Sequence, residues 1–393
     1  NFSDKLYVGA NMNVYTVDYM EDRTYAEEAD KLEYYQTGFA DMNYNYFQQT
    51  TGSGINLQLG LIWTPFPAVR FGATYTTSTL YTLSDYWEET MTSTFVPNEF
   101  GYESTKEPLR AFPEIPYAYE VKAPARYTLG AAFVLGRLGL ISLDYEHVDY
   151  AYDDAGGEGS FTRRYDNVFP TFSFAGALGK VQTIVNYSVK TARPDFSMLS
   201  SAIRYNSRYA YQSGNAGLQP QTIADLSVTA VWKSLSLIAD YSRIDNLIAI
   251  WSEPVGDQAV VMVRPRNLNE PFRMLATYLV FAPTVGNWTL NYTAGVQKQW
   301  LTIEAHDRSQ ASGVRSISFN DKPMFFAQIN NTLTVKGGWQ FELGGEIHSK
   351  GYTSNIFITN TFLNVSAAIQ KSLLRDGSLV LRLQGDDMAG MAN

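Results

Sequence analysis

No cysteine occurs in the 393 residues. Disulfides and thiolate-bound metals are therefore excluded as ways of holding the chain together. Histidine is scarce as well, with His147, His306 and His348 the full set. No stretch approaches the ~20 consecutive apolar residues that a membrane-spanning helix needs. Basic residues are outnumbered, 30 against 39 acidic, for a net charge of −9. That balance argues against a nucleic-acid partner, which would need a basic face. Nothing in the sequence calls for a cofactor. No signal peptide opens the chain, so the mature or trimmed form is expected.

Aromatic side chains, by contrast, are abundant: 27 Tyr, 22 Phe and 7 Trp, 14% of the chain. The second positive feature is a sustained period of two. Ile55, Leu57, Leu59, Leu61 and Trp63 alternate with Asn56, Gln58, Gly60 and Ile62. Successive side chains of a strand point to opposite faces, so this segment has one apolar face and one mostly polar face. The same pattern runs through Leu6–Val14, Tyr127–Leu135, Ala224–Trp232, Trp288–Val296 and Trp339–Ile347. Its register predicts lipid contact at Leu57, Leu59, Leu290 and Phe341, with Asn56 and Asn291 on the other face. Helix-based hydropathy misses such a protein, because only every second residue of each strand is apolar.

The connections alternate between short and long. Short ones fall near Pro65–Ala68, Gly136–Gly139, Gly179–Lys180, Lys233–Ser234, Pro283–Asn287, Lys336–Gly338 and Leu374–Gly377. Between them lie longer polar segments at about 20–53, 80–115, 151–167, 192–221, 252–258, 301–323 and 350–355. Tight turns at one end and large loops at the other are the wiring of an outer-membrane barrel. A soluble sandwich would mix loop lengths at both ends and pack its apolar face on a second sheet. The expected fold is thus an all-β transmembrane antiparallel barrel over residues 1–393, integral to a bacterial outer membrane. About 15 strands can be counted. Closed bacterial barrels usually have an even number, so 14–16 are expected. Phe272–Phe281, apolar on both faces, is the least regular of them.

Two resemblances attach to the two parts of the chain. Residues 1–155 carry "SDKLYVGANMNVYTVDY", "TTGSGINLQLGLIWTPFPAVRFGATYTTSTLYTLSD" and "YAYEVKAPARYTLGAAFVLGRLGLISLDYEHVDY". In order and spacing these resemble FadL-type transporters of hydrophobic compounds in their Bacteroidetes version. That resemblance implies a monomeric barrel moving fatty acids or other apolar molecules. Residues 161–393 carry "RRYDNVFPTFSFAGALGKVQTIVNYSVKTARPDFSML", "GNAGLQPQ", "YSRIDNLI", "RPRNLNE" and "AAIQKSLLRDGSLVLRLQGDDM". These resemble the barrel of TonB-dependent receptor-like outer-membrane proteins. There, a strand-end Arg-Pro, here Arg193-Pro194, precedes a long loop. A Gly-Asn…Leu-x-Pro segment, here Gly214, Asn215, Leu218 and Pro220, closes it. The hatch of the first family, and the plug, TonB box and closing strands of the second, are not seen before Met391-Ala392-Asn393. A chimera, natural or engineered, would join the sections in this way.

Candidate sites were weighed against structural readings. His306-Asp307 in an expected loop could form a hydrolytic dyad, but no nucleophile motif accompanies it, and no enzyme is expected. His147 lies among Asp144, Glu146 and Asp149. Alternation sends 144 and 146 away from 147 and 149, against a shared metal. Acidic residues crowd two expected loops: Glu21, Asp22, Glu27, Glu28, Asp30 and Glu33 in one, Asp153, Asp154 and Glu158 in the other. Grouped carboxylates can bind Ca²⁺ that bridges lipopolysaccharide, although no EF-hand spacing is present. No metal site is therefore assigned. Segment 80–115 is rich in aromatics. Tyr81, Tyr86, Trp87, Phe95 and Phe100, with Tyr102 and Phe112 beside them, are the candidate binding residues for an apolar ligand; an aromatic girdle is the competing reading. On the inner face, register places Arg70, Arg126, Asp144, Lys190, Asp225, Asp240, Glu342, Glu346 and Arg382. They would tune a channel or pair to fill a lumen. Passive transport of small hydrophobic molecules is the first expectation for function. A non-transporting structural or chimeric barrel is the second, and a plugless TonB-dependent receptor-type barrel the third. The expected partners are outer-membrane lipid, lipopolysaccharide and an apolar ligand.

Overall fold

The computed structural model describes residues 5–30, 38–96, 103–105, 107–113, 115–152, 161–199, 203–207, 209–255, 260–306, 314–373 and 378–390. Among the described residues, fifteen staves follow one another in a single antiparallel sheet. The first seven are β1 (Leu6–Glu28), β2 (Phe39–Phe66), β3 (Val69–Thr76, continued by Thr79–Phe95), β4 (Tyr117–Ala123, continued by Arg126–Val134), β5 (Gly139–Tyr152), β6 (Phe161–Leu178) and β7 (Val181–Ala192). Then come β8 (Gln221–Trp232), β9 (Leu235–Asp245), β10 (Phe272–Phe281), β11 (Trp288–Trp300), β12 (Met324–Val335), β13 (Trp339–His348), β14 (Phe362–Ser372) and β15 (Val380–Gly385). Each pairs with its successor, and β5 joins β6 from Gly139↔Phe174 to Tyr152↔Phe161, so both sections of the sequence share one wall. Among the described residues no ladder joins β15 to β1.

The wall is one layer thick. Its accessible surface is 25485 Å², whereas a compact soluble protein of 44.1 kDa would expose roughly 15,500 Å². Leu57, Leu59, Leu61, Phe341 and Leu343 are 40–48% exposed. A second sheet would have buried them, so the sandwich alternative fails and a membrane is the solvent for this face. Aromatic residues mark its lower limit. Trp63, Phe71, Phe133, Trp232, Phe281, Trp288 and Trp339 are all exposed and lie near the short-turn end. Trp63 and Phe71 stack at 5.5 Å, as do Tyr75 and Tyr127 at 4.8 Å further up. The band near the short turns is the lower interfacial girdle of a transmembrane barrel.

The turn asymmetry is present as expected. Lys233-Ser234 and Gly179-Lys180 are two-residue turns, and Gly337 and Gly338 both have positive φ, 86° and 79°. That backbone suits glycine because no Cβ clashes there. The expected turn at 374–377 lies outside the described residues. Phe272–Phe281 is a single strand, with Leu279 on the lipid side and Tyr278 inside, where its ring meets Phe326 at 5.3 Å.

Three expected loops require correction, one of them 151–167, where 151–152 end β5 and 161–167 begin β6. Residues 20–28 and 39–53 continue β1 and β2, and 79–95 continues β3. All 23 residues of β1 pair without a break, from Leu6↔Trp63 to Glu28↔Asp41. A spanning strand needs only ~9–11 residues, so the upper parts of β1–β3 stand above the membrane. Both of their faces meet water there, and the apolar alternation that marks a strand in lipid disappears. Thr and Tyr, which suit strands, maintain the pairing instead.

Candidate functional site

The receptor-like motifs meet at the upper rim. Asn267, in "RPRNLNE", donates from Nδ2 to the carbonyls of Gln219 (2.9 Å) and Asn246 (2.8 Å). Its Oδ1 accepts from the Gln219 amide at 2.7 Å. One side chain thereby ties together "GNAGLQPQ", "YSRIDNLI" and its own segment. Asn215 donates from Nδ2 to the Pro265 carbonyl (3.0 Å), and its Oδ1 accepts from the Gly217 amide (2.8 Å). Nearby, Leu268, Leu301 and Ile303 are buried against Trp251, Phe272 and Phe319. The result is a rigid shoulder above the membrane.

The loop after β7 is held inward at both ends. Arg193 pairs with Glu146 on the inner face of β5, and Arg126 of β4 meets the same carboxylate at 3.2 Å. Glu146 is buried. At the loop's far end, the buried Leu218 accepts from Arg163 through its carbonyl. In between, Arg204 reaches Glu21 of β1 at 3.4 Å. The loop thus runs across the mouth from β7 to β1, with a one-turn helix at Phe196–Leu199.

Beneath it lies a cavity of about 850 Å³. Its wall is the inner face of raised β1–β3: Arg23, Tyr44, Tyr46, Gln48, Asp85 and Glu89. Its roof includes Met198, Ile203, Arg204, Ile250 and Pro265. Arg23 sits 4.8 Å from the centre of the Tyr46 ring and 2.8 Å from Glu21. Burial and the Glu89 carboxylate push the Tyr44 phenol up to about 12. Burial and Asp85, which accepts from Tyr119 at 3.3 Å, do the same for Tyr119, also to about 12. Both phenols therefore stay neutral donors to carboxylates.

The expected binding aromatics divide between faces. Tyr81 and Trp87 oppose Gly54 and Gln48 and point inward with Asp85 and Glu89. Tyr86 points outward, where its ring packs 6.3 Å from Phe47. Phe95 ends β3 against Phe39, at 5.7 Å. Phe112 is exposed beyond the short strand Leu109–Ala111. Phe100 and Tyr102 lie outside the described residues. The acidic group on β1 is likewise split by alternation. Glu21 faces inward and Asp22 outward, opposite Gln48 and Phe47. Glu33, Asp153, Asp154, Glu158 and Asp307 lie outside the described residues, so the second acidic loop and the His306-Asp307 pair are not described. Among the described residues no three candidate ligands group for a metal.

Around His147 the faces separate as the alternation requires. Its ring contacts Asp166 (2.7 Å) and Asp149 (3.3 Å) on the outer face, while Glu146 turns inward. Several of the inner charges pair with one another. Lys190 meets Asp225 at 3.0 Å, and Arg382 grips both oxygens of Glu342 at 2.9 and 2.6 Å. Sequence reasoning missed Arg204 and the Glu146 clamp, because their partners are 183 and 47 residues away. The alternation of Asp85, Trp87 and Glu89 was a usable signal, obscured by reading 80–115 as a loop.

Comparison with known proteins bears on this wall directly. The model of the outer membrane protein beta-barrel family matches residues 143–390, more than half of the chain. The chain belongs to that family. It is an integral protein of the bacterial outer membrane. Among solved structures, BauA, the ferric preacinetobactin receptor from Acinetobacter baumannii, superposes with a TM-score of 0.54 at 12% identity. The match covers 99% of this barrel and 57% of BauA, so this chain spans little more than half of that receptor's length. The siderophore receptor PirA from Pseudomonas aeruginosa (11% identity, 98% and 77% coverage, TM-score 0.43) and the hemophore receptor HasR from Serratia marcescens (12%, 98% and 73%, 0.46) also match. No curated protein matches the sequence. The family match covers nearly all of the section from 161 onward, and the likeness to BauA shows the barrel fold. The fatty-acid-transporter resemblance of residues 1–155 has no counterpart among them.

Proposed function

We propose that this barrel belongs to a receptor-type uptake system and captures a water-soluble polar ligand in the vestibule beneath the loop after β7. The observation that carries this reading is the lining of the 850 Å³ cavity, where Arg23, Gln48, Asp85, Glu89 and Arg204 converge. An acyl chain entering there would strip water from these groups and offer no hydrogen bonds in return, at a cost of roughly 1–3 kcal/mol for each buried polar group. The cavity size suits a small solute. BauA, whose barrel fold this chain shares, is described as a ferric preacinetobactin receptor, and capture of a polar solute accords with that description. Passive transport of hydrophobic molecules draws support only from Tyr81 and Trp87 on the inner wall and from the apolar side chains of the roof.

Oleate and a panel of small polar solutes, titrated onto purified protein and followed by intrinsic fluorescence, discriminate between the two. Saturable binding of a polar solute that is weakened by Asp85→Asn is expected. Saturable oleate binding lost in Trp87→Ala but indifferent to Asp85→Asn would replace this proposal with the hydrophobic-transport reading.

A further inference from the structure

The vestibule's chemistry narrows the ligand. Asp85, Trp87 and Glu89 are successive inward positions of β3, an acid, an aromatic and an acid. On neighbouring β2, Tyr46 opposes Glu89 and Gln48 opposes Trp87. Diagonal neighbours on one sheet face come within reach of aromatic and long side chains; Tyr46 lines the cavity beside Glu89, and register puts Trp87 on the same inward face between the two acids. Those carboxylates stand about 13 Å apart along the strand, at roughly 3.3 Å per residue.

The charges do not cancel there. Both arginines of the cavity are held by one acid, Glu21: Arg23 at 2.8 Å and Arg204 at 3.4 Å. Among the described ion pairs, neither Asp85 nor Glu89 has a cationic partner. Arg23 and Arg204 alone would balance Asp85 and Glu89 in the lining; with Glu21, which adjoins both arginines behind it, the five groups leave one negative charge in excess, on the β3 side. Across the cavity the roof is mixed, with apolar Met198, Ile203, Ile250 and Pro265 among Ser197, Arg204, Gln212 and Ser213. The neutral phenols of Tyr44 and Tyr119 donate to the two carboxylates and leave their charge in place.

We infer that the vestibule binds an organic oligocation in which ammonium groups are joined by aliphatic segments, that is, a polyamine or a short lysine-type peptide. The ammonium groups would meet Asp85 and Glu89 and the faces of Trp87 and Tyr46, which attract cations through their ring quadrupoles. The methylenes would lie against Met198 and Ile203. An anionic ligand would meet the excess negative charge. This inference rests on the vestibule being the capture site proposed above.

Spermidine, triglutamate and maltotriose are titrated by calorimetry onto the purified, folded barrel in detergent. Spermidine is expected to bind saturably and to weaken as salt rises, because the attraction is between partly exposed charges. Asp85→Asn and Glu89→Gln should each weaken it about tenfold, and the pair should abolish it. Glu88→Gln, whose position on the same strand points outward, should leave affinity unchanged and shows that the face, not the strand's total charge, matters. Maltotriose or triglutamate binding in place of spermidine, sensitive to Gln48→Ala or Arg204→Gln, would overturn the cationic class and leave the vestibule as a capture site. Spermidine binding that Asp85→Asn and Glu89→Gln do not alter would overturn the assignment to this wall. No binding of any of the three would count against both the ligand class and the capture site.

Discussion

At the scale of single residues, the lipid register is open to direct test, and the structure changes which control is fair. Leu57 and Leu290 occupy the lipid face by register. An Arg at either should cost roughly 2–4 kcal/mol near the bilayer midplane. Asn56 and Asn291 both lie on the other face, but Asn56 is 7% exposed and accepts from Asn13 (2.8 Å) while donating to Thr79 (2.6 Å). Asn56→Arg would break that network and destabilise for a different reason, so Asn291→Arg is the inexpensive counterpart. Denaturant unfolding in lipid should rank Asn291→Arg well below Leu290→Arg; equal costs would refute the register. A second residue-scale prediction concerns Tyr44. Its phenol is pushed up to about 12, so the stability linked to it is complete below pH 10 and lost as pH rises from 10 through 12. The difference in phenolate absorbance between wild type and Tyr44→Phe should appear near pH 12. A difference transition near pH 10 instead would mean that Glu89 and burial do not act on this phenol.

At the scale of elements, the loop after β7 depends on its anchors. Glu146→Gln would leave Arg126 and Arg193 facing each other without a counter-charge, at a cost on the order of 2 kcal/mol to the closed arrangement. The barrel itself, held by its ladders, should keep its melting behaviour. Limited trypsin digestion should then cut at Arg204 faster than in wild type, and conductance in a planar bilayer should rise as the mouth opens. Unchanged digestion and conductance would show that the ion pair does not hold the loop. The upper strands illustrate how legible such elements were. Leu6–Val14 announced β1 through alternation, whereas residues 20–28 of the same strand looked like a loop, because polar residues suffice on both faces once the strand leaves lipid.

At the scale of the whole molecule, sidedness follows from the asymmetry of the connections. The chain has no native cysteine, so single introduced thiols report cleanly. A cysteine at Ser207, in the loop after β7, should react with an impermeant reagent on intact cells. One at Ser234, in the two-residue turn between β8 and β9, should react only after the outer membrane is opened. Gly337 is a poor reporter because its φ of 86° would strain any side chain placed there. Labelling at Ser234 but not Ser207 would invert the topology.

The sequence by itself determined the barrel. A period of two with one apolar face, tight turns at one end and an aromatic band is local information, written within each strand and dictated by a solvent that leaves no backbone group unpaired. It also placed Asp144 and Glu146 opposite His147 and Asp149, since alternation alone decides that. The vestibule was decided only by tertiary structure. Glu146 with Arg193, Glu21 with Arg204, and Asn267 with Gln219 and Asn246 join residues far apart in the chain, and strand pairing selects which of many polar side chains meet. Trp87 could be picked out as an exposed aromatic. Its standing between two acids on the inward wall of the cavity required the register of β3 on β2 and the path of the chain across the mouth.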